Sequence, residues 1–220
     1  MKMAISIIFF GGCCTLCAQG TFQNLNFESA NVGSIVPMVP VSSALPGWTA
    51  SLGSTQLTTV GYNALSTGAT AVSLIGPPSP VAALDGNYSV LLTGGVTASD
   101  AAISQTGTIP VGTKSLLFEA SEIANDPTEV LNVQVGTQTV AITPVGTAAN
   151  YALYAVNISA WAGDTEQLSF SAPNIGGLNH WEIDDITFSP NAVPEPRPFV
   201  LSGIAGLLFA AYRRFSPKQQ

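Results

Sequence analysis

"LNVQV", Leu131 to Val135, sets the fold class. Leu131, Val133 and Val135 alternate with Asn132 and Gln134, the two-residue period of a strand with one buried face. The pattern spreads outward from there. "TQTVAIT" follows, with Val140 and Ile142 on one face. "QLSFS" alternates Leu168 and Phe170 with polar neighbours, and "NYSVLLT" sets Tyr88, Val90 and Leu92 on one face. "SLLFEA" and "YALYAVNIS" are richer in apolar residues, as strands covered on both sides are. "HWEIDDITFS" is the last strand. Turn signals separate these segments, among them Asp85-Gly86-Asn87, Ile109-Pro110-Val111-Gly112, Asn125-Asp126-Pro127 and Ile175-Gly176-Gly177. Helix signals are scarce. Many short strands between such turns predict an all-β, antiparallel sandwich or barrel over residues 21–190. No internal repeat is visible, and residues 31–80 are less regular.

The charge is uneven. Residues 21–190 carry twelve acidic side chains and one base, Lys114, a formal charge of −11, while the other five basic residues lie at the two ends. Such a body cannot neutralise a phosphate backbone, which excludes nucleic acid as a partner. An anionic membrane surface repels it as well.

The two ends read as targeting segments. "MKMAISIIFFGGCCTLCAQG", residues 1–20, has an early lysine, an apolar stretch and then small residues, the layout of a secretory signal helix handled by the Sec translocon. A second reading of the same segment is a lipoprotein signal with Cys13 lipidated. All three cysteines, Cys13, Cys14 and Cys17, lie inside it, so the expected mature chain has no disulfide and no thiol nucleophile. At the other end, residues 191–197 form a proline-rich linker. Residues 198–214 then read as a single transmembrane helix closed by Arg213 and Arg214, with a short cytoplasmic tail at 215–220. From Pro198 to Tyr212 a helix reaches roughly 22 Å at about 1.5 Å per residue, short of a bilayer core of about 30 Å. It spans only with snorkelling and local thinning. The arginine pair holds the C-terminal side in the cytoplasm and leaves the body on the far side.

Two resemblances add to this reading. "NLNFE" (24–28), "LPGWT" (45–49), "ISQTGTIPVGTKSLLFEA" (103–120) and "WEIDDITFSP" (181–190) occur in an order similar to the jelly-roll sandwiches of the galactose-binding-like superfamily, which includes many carbohydrate-binding modules. The resemblance implies that 24–28 is the first strand and that the Ile-Asp-Asp-Ile strand ends the fold beside it. It also implies a structural Ca²⁺ where those strands meet, held by Glu28 and by Asp184 or Asp185. Calcium takes six to eight hard oxygens, and neighbouring carboxylates repel without a cation between them. Neighbours in a strand point to opposite faces. Asp185 therefore shares a face with Ile183 and Trp181, and both aspartates cannot face one side without a bulge. The alternative is a pair of solvated residues at a strand end.

The second resemblance is to the PEP-CTERM sorting signal of exported bacterial proteins, carried by Val193, Pro194, Glu195 and Pro196, the apolar run and the terminal arginines. It implies exosortase as a partner, cleavage at or near Pro194–Pro196, transient anchoring in the inner membrane, and delivery to the cell surface or matrix. The basic cluster is shorter than the family's usual run, and residues 215–220 extend past it.

Aromatic residues are the candidates for stacking on a sugar. Trp48 and Trp181 read as core, which leaves Trp161, Tyr62 and Tyr88 as possible ligand contacts. His180, the one histidine, reads as structural. No serine has a Gly-x-Ser-x-Gly context, and no two carboxylates are singled out as a glycosidase pair. The expectation is a non-enzymatic structural or carbohydrate-binding component of an exopolysaccharide matrix. Its rival is a hydrolase acting on matrix glycans, and a third reading is a self-associating matrix protein.

Overall fold

The computed structural model describes residues 21–33, 37–64, 70–79, 82–123 and 127–193. The expected signal segment 1–20, Pro194 to Pro196, and the expected membrane helix 198–214 with Arg213 and Arg214 lie outside them. Among the described residues no helix is long and apolar enough to cross a membrane.

Among the described residues, fourteen strands build two facing sheets. They are β1 Met38–Pro40, β2 Thr49–Leu52, β3 Thr55–Gln56, β4 Thr59–Tyr62, β5 Val72–Ile75, β6 Ser89–Gly94, β7 Ala101–Thr108, β8 Ser115–Glu122, β9 Asn132–Val135, β10 Gln138–Val140, β11 Ile142–Thr147, β12 Ala152–Asn157, β13 Thr165–Ala172 and β14 Asn179–Ser189. One sheet has the order β1-β4-β5-β6-β14-β8-β12-β11 and the other β10-β9-β13-β7-β2-β3. From β6 onward the chain changes sheets at most connections, so the two layers are interleaved in sequence. Pairing is antiparallel except between β4 and β5, which run parallel.

The alternation read from the sequence is the packing observed. Val133 and Val135 of β9 face the core, and Leu168 and Phe170 of the neighbouring β13 meet them in register. The core is an aliphatic and aromatic filling between the sheets, about 1.5–3 kcal/mol of transfer free energy for each fully buried large side chain. Six aromatic rings run through it in sequence of contact. Phe27 lies 5.7 Å from Trp48, Trp48 6.5 Å from Phe170, and Phe170 5.2 Å from Phe118. Phe118 then stacks on Tyr154 at 5.6 Å, and Tyr154 meets Trp181 edge-on at 6.2 Å. Such tilted and offset arrangements are the favourable ones for ring quadrupoles.

Three expectations are corrected. Residues 24–28 form a turn, not the first strand: Asn24 and Phe27 both have positive φ, and the turn drives the fully buried Phe27 into the end of the core. The last strand accordingly lies between β6 and β8 rather than beside an initial strand, and one backbone bond, Ile186 N–H to Leu25 O, ties the turn to it. "TQTVAIT" is two strands in different sheets, because the chain crosses over between Val140 and Ile142. Both residues still pack on the core. Finally, β14 carries a bulge. Its register against β8 shifts between Asp184 and Thr187, and Asp185 has φ +41°. The extra residue reverses the phase of the strand. Ile183 and Ile186 both reach the core, Asp184 is buried on the opposite face, and Asp185 is exposed.

Candidate functional site

Two acidic regions flank β14, one on each face of its sheet. The first is the junction expected from the sequence. On the outer face, the connection through Leu84–Tyr88 folds over the strands. Asp184 Oδ2 accepts the Asp85 N–H at 3.1 Å, and its Oδ1 accepts the Asp185 N–H at 2.8 Å. Glu28 takes hold of the same connection further along. Its Oε1 accepts the Asn87 and Tyr88 N–H groups at 2.6 and 2.8 Å, and its Oε2 accepts Asn87 Nδ2 at 2.9 Å. Burial works against the Glu28 charge, but those bonds outweigh it and hold its carboxyl below the usual range.

Asp184 has the opposite balance. It is almost fully buried, and desolvation pushes its carboxyl up to about 8 despite the two backbone bonds, with Glu119 and Asp185 adding repulsion. Glu119 is its cross-strand neighbour in β8. Burial raises the Glu119 carboxyl too; Tyr151 hydrogen-bonds it, and its Oε2 has no partner. Glu182, on the same face, is raised by burial and accepts the Ser89 hydroxyl. Glu28, Asp184 and Asp185 do not converge as a ligand set. The first two are already filled by N–H donors, and the third points outward. Among the described residues no group of three or more His, Cys, Asp or Glu side chains is gathered to hold a metal ion.

The second region lies between the sheets, where the segment entering β9 meets β11, β12 and the start of β14. A cavity of about 250 Å³ opens there, lined by Glu129, Val130, Leu131, Ile142, Tyr154 and Trp181. The ring chain through the core ends in its wall. Trp181 is 8% exposed, and its Nε1–H has no hydrogen-bond partner. Glu129 is 9% exposed; its Oε1 lies 3.0 Å from His180 Nδ1, while its Oε2 is unpartnered. Glu122 sits opposite Trp181 in the β8–β14 register, with Oε1 buried and unpartnered. Burial raises the Tyr154 hydroxyl pKa, and the nearby Glu122 carboxylate raises it further. Asn179 positions the wall. It is fully buried, its Oδ1 accepts the Val130 N–H at 3.1 Å, and its Nδ2 donates to Val130 O at 2.7 Å and Pro173 O at 2.9 Å.

Buried polar atoms are nearly always satisfied, and leaving one unpaired costs about 1–3 kcal/mol. Of the cleft's lining residues, Trp181 Nε1 and Glu129 Oε2 are such atoms, and the neighbouring Glu122 Oε1 and His180 Nε2 are unpartnered as well.

The three aromatic candidates fall elsewhere. Tyr62 is buried, burial raises its hydroxyl pKa, and the hydroxyl donates to Pro77 O. Tyr88 is half-buried beside it: a Cβ at Gly76 would come within 2.4 Å of the Tyr88 ring and 3.2 Å of the Tyr62 hydroxyl. Trp161 ends the short helical turn Ser159–Trp161 between β12 and β13, packs on the core, and makes no ring contact among the described residues. Trp48 is core, with its Nε1–H on Asn24 O at 2.9 Å. Trp181 is core on one side and cleft wall on the other.

No known family model matches the chain, and no curated protein matches it. Some solved structures share its general shape. The adhesin domain of Lys-gingipain from Porphyromonas gingivalis W83 is 13% identical and aligns with 73% of this chain and 100% of its own, with a TM-score of 0.43. The enzymatically active domain of bacteriophage CBA120 tailspike protein 4 is 16% identical over 76% of this chain, at a TM-score of 0.41, but this chain spans only 21% of that one. The carbohydrate-binding module TmCBM61, solved with β-1,4-galactotriose, is 14% identical over 78% of this chain and 99% of its own, with a TM-score of 0.36. At these scores no binding or catalytic property passes from those proteins to this chain.

Proposed function

We propose that this protein is an exported, non-catalytic polysaccharide-binding module of jelly-roll type. In this reading it leaves the cytoplasm through the Sec translocon, is held briefly in the inner membrane by residues 198–214, and is released to the surface or matrix by exosortase at Pro194–Pro196. The observation that carries the binding role is the cleft between the sheets. Tyr154 and Trp181 offer ring surface for the apolar face of a pyranose. The Trp181 N–H and the spare Glu129 oxygen supply one donor and one acceptor, the mixture that sugar hydroxyls satisfy. Glycan-array binding by the full chain, followed by titration of the best oligosaccharide, tests it. Binding without release of reducing ends, weakened by Trp181→Phe, is the expected result. Turnover of the glycan would replace the reading with the hydrolase. Binding unchanged in Trp181→Phe and Tyr154→Ala would remove the cleft from it.

A structural calcium ion belongs to the same proposal. It is the ion expected from the sequence, at Glu28 with Asp184 or Asp185. Thermal melting with calcium and with a chelator tests it; identical curves would end the calcium reading.

A further inference from the structure

We infer that the end of the sandwich from which the chain leaves β14 rests on the lipid headgroup zone, with Val111 and Trp161 as its contacts, while residues 198–214 hold the protein in the membrane. The inference rests on the reading of 198–214 as a membrane helix and assigns a surface of the folded body to the same membrane.

Two connections build this end, residues 109–114 between β7 and β8 and residues 158–164 between β12 and β13. Backbone bonds stitch them together. Ile109 N–H donates to Asp164 O and Gly163 N–H to Ile109 O, both at 2.9 Å, and Ile158 N–H donates to Lys114 O at 3.1 Å. Val111 stands on the first connection and is 90% exposed. It adjoins the second, since a Cβ at Gly163 would lie 3.5 Å from Val111 Cγ2. Trp161 closes the helical turn just before Gly163 and is only half-buried. A lone exposed valine is ordinary; its place gives this one meaning. β14 ends here, where Lys114 N–H donates to Ser189 O at 2.8 Å and the Ser115 hydroxyl to Asn191 O at 2.7 Å. From Val193, the last described residue, to Pro198, where the expected helix starts, the chain reaches at most about 18 Å at full extension. The headgroup zone on each side of the hydrocarbon core is itself roughly 5–7 Å deep. A linker this short brings this end of the body to the bilayer surface.

The chemistry fits an interface of zwitterionic lipid. Tryptophan is enriched at headgroup depth, where an apolar ring with one polar handle is at home. Lys114, the only base of residues 21–190, is exposed at this same end. It can lay its stem on apolar surface and keep its ammonium among the phosphates. The acids nearby are Asp164 and Glu166, at the start of β13, whereas Asp100, Glu122 and Glu129 lie at the opposite end. The formal charge of −11 on residues 21–190 makes an anionic surface the poorer partner. Trp181 to Ser189 spans roughly 26 Å of β14 at about 3.3 Å per residue, so the cleft stands clear of the lipid.

Tryptophan fluorescence of the full chain, reconstituted into phosphatidylcholine vesicles with and without bromine high on the acyl chains, tests this. Residues 198–214 contain no tryptophan, and Trp48 and Trp181 are buried, so quenching by bromine reports on Trp161. The expected result is lower emission in the brominated vesicles. Trp161→Phe should abolish that difference, and Val111→Asp, at a site too exposed to disturb folding, should reduce it by about half or more. Circular dichroism and resistance to alkaline extraction should be unchanged in both variants. Equal emission in the two kinds of vesicle, from a chain that resists extraction, overturns the lipid contact and leaves the membrane helix standing. Quenching that persists in Trp161→Phe also overturns it, because another tryptophan would then face the lipid. A chain that alkaline extraction releases counts against both readings.

Discussion

The outer junction around Asp184 and the inner cleft around Trp181 lie on opposite faces of the same strand, and both are acidic. Each holds a buried carboxylate oxygen without a partner, Glu119 Oε2 at the junction and Glu129 Oε2 at the cleft, but they differ in how far backbone N–H groups serve the rest. At the junction, Glu28 and Asp184 are filled by backbone N–H groups of the Asp85–Tyr88 connection and of Asp185. At the cleft, Glu129 keeps a buried Oε2, and its neighbour Glu122 a buried Oε1, that no donor among the described residues reaches. A carboxylate that the chain itself satisfies is a structural clamp, and its removal is felt in stability. A carboxylate left open between apolar walls is felt when a ligand arrives.

Four substitutions test that contrast. The largest effect belongs to Asn179→Ala. It removes three hydrogen bonds made by a fully buried side chain, two of them to the Val130 backbone, so chemical denaturation should show a loss of about 2–3 kcal/mol. It should also weaken glycan binding, because Asn179 sets the cleft wall. Glu28→Ala comes next. Two N–H groups and the Asn87 amide lose their acceptor, and stability should drop by about 1–2 kcal/mol with glycan affinity unchanged; altered affinity would show that the two regions are not separate.

The third test is pH. The Asp184 carboxyl titrates at about 8 in the fold against an ordinary 3.8. The folded chain therefore keeps a proton that the unfolded chain has lost, and stability falls as pH rises from about 4 through about 8. Glu119 and Glu182, also raised, act in the same direction. Melting temperatures across that window should decline, and Asp184→Asn should flatten the slope; a rise would contradict the assignment. The smallest effect on stability is expected for Trp181→Phe, under about 1 kcal/mol, since a ring remains in the wall and the lost N–H was unpaired. Its signature is weaker glycan binding in the same titrations.

Much of the sandwich was legible because period-two alternation is a local property. Leu131–Val135 and Leu168–Phe170 state their buried face without knowledge of their partners. What depended on tertiary contact was not. Nothing in "NLNFE" announces that Asn24 and Phe27 take positive φ and turn the segment into a plug. The bulge at Asp185 was anticipated only as a condition for both aspartates to share a side. The structure uses it for Ile186 instead. Glu122, Glu129, Tyr154 and Asn179 were missed because they come from separate segments, and a lone buried Asn or Glu carries no motif. "HW" at 180–181 was read as core and structure. The signal that could have been weighed is a histidine and a tryptophan side by side at the start of a strand, though the glutamate opposite that tryptophan, Glu122, lies in a different strand and could be placed only by the pairing of β14 with β8.

The central place of β14 has a mechanical consequence. Any pull on the C-terminal end of the chain enters the sandwich at Ser189 and travels along this strand, which is bonded to β6 on one side and β8 on the other. Trp181 stands near the strand's opposite end. Tension between a tethered tail and a gripped glycan would therefore run lengthwise down one strand and strain its rungs together in shear, sparing the two layers from being peeled apart.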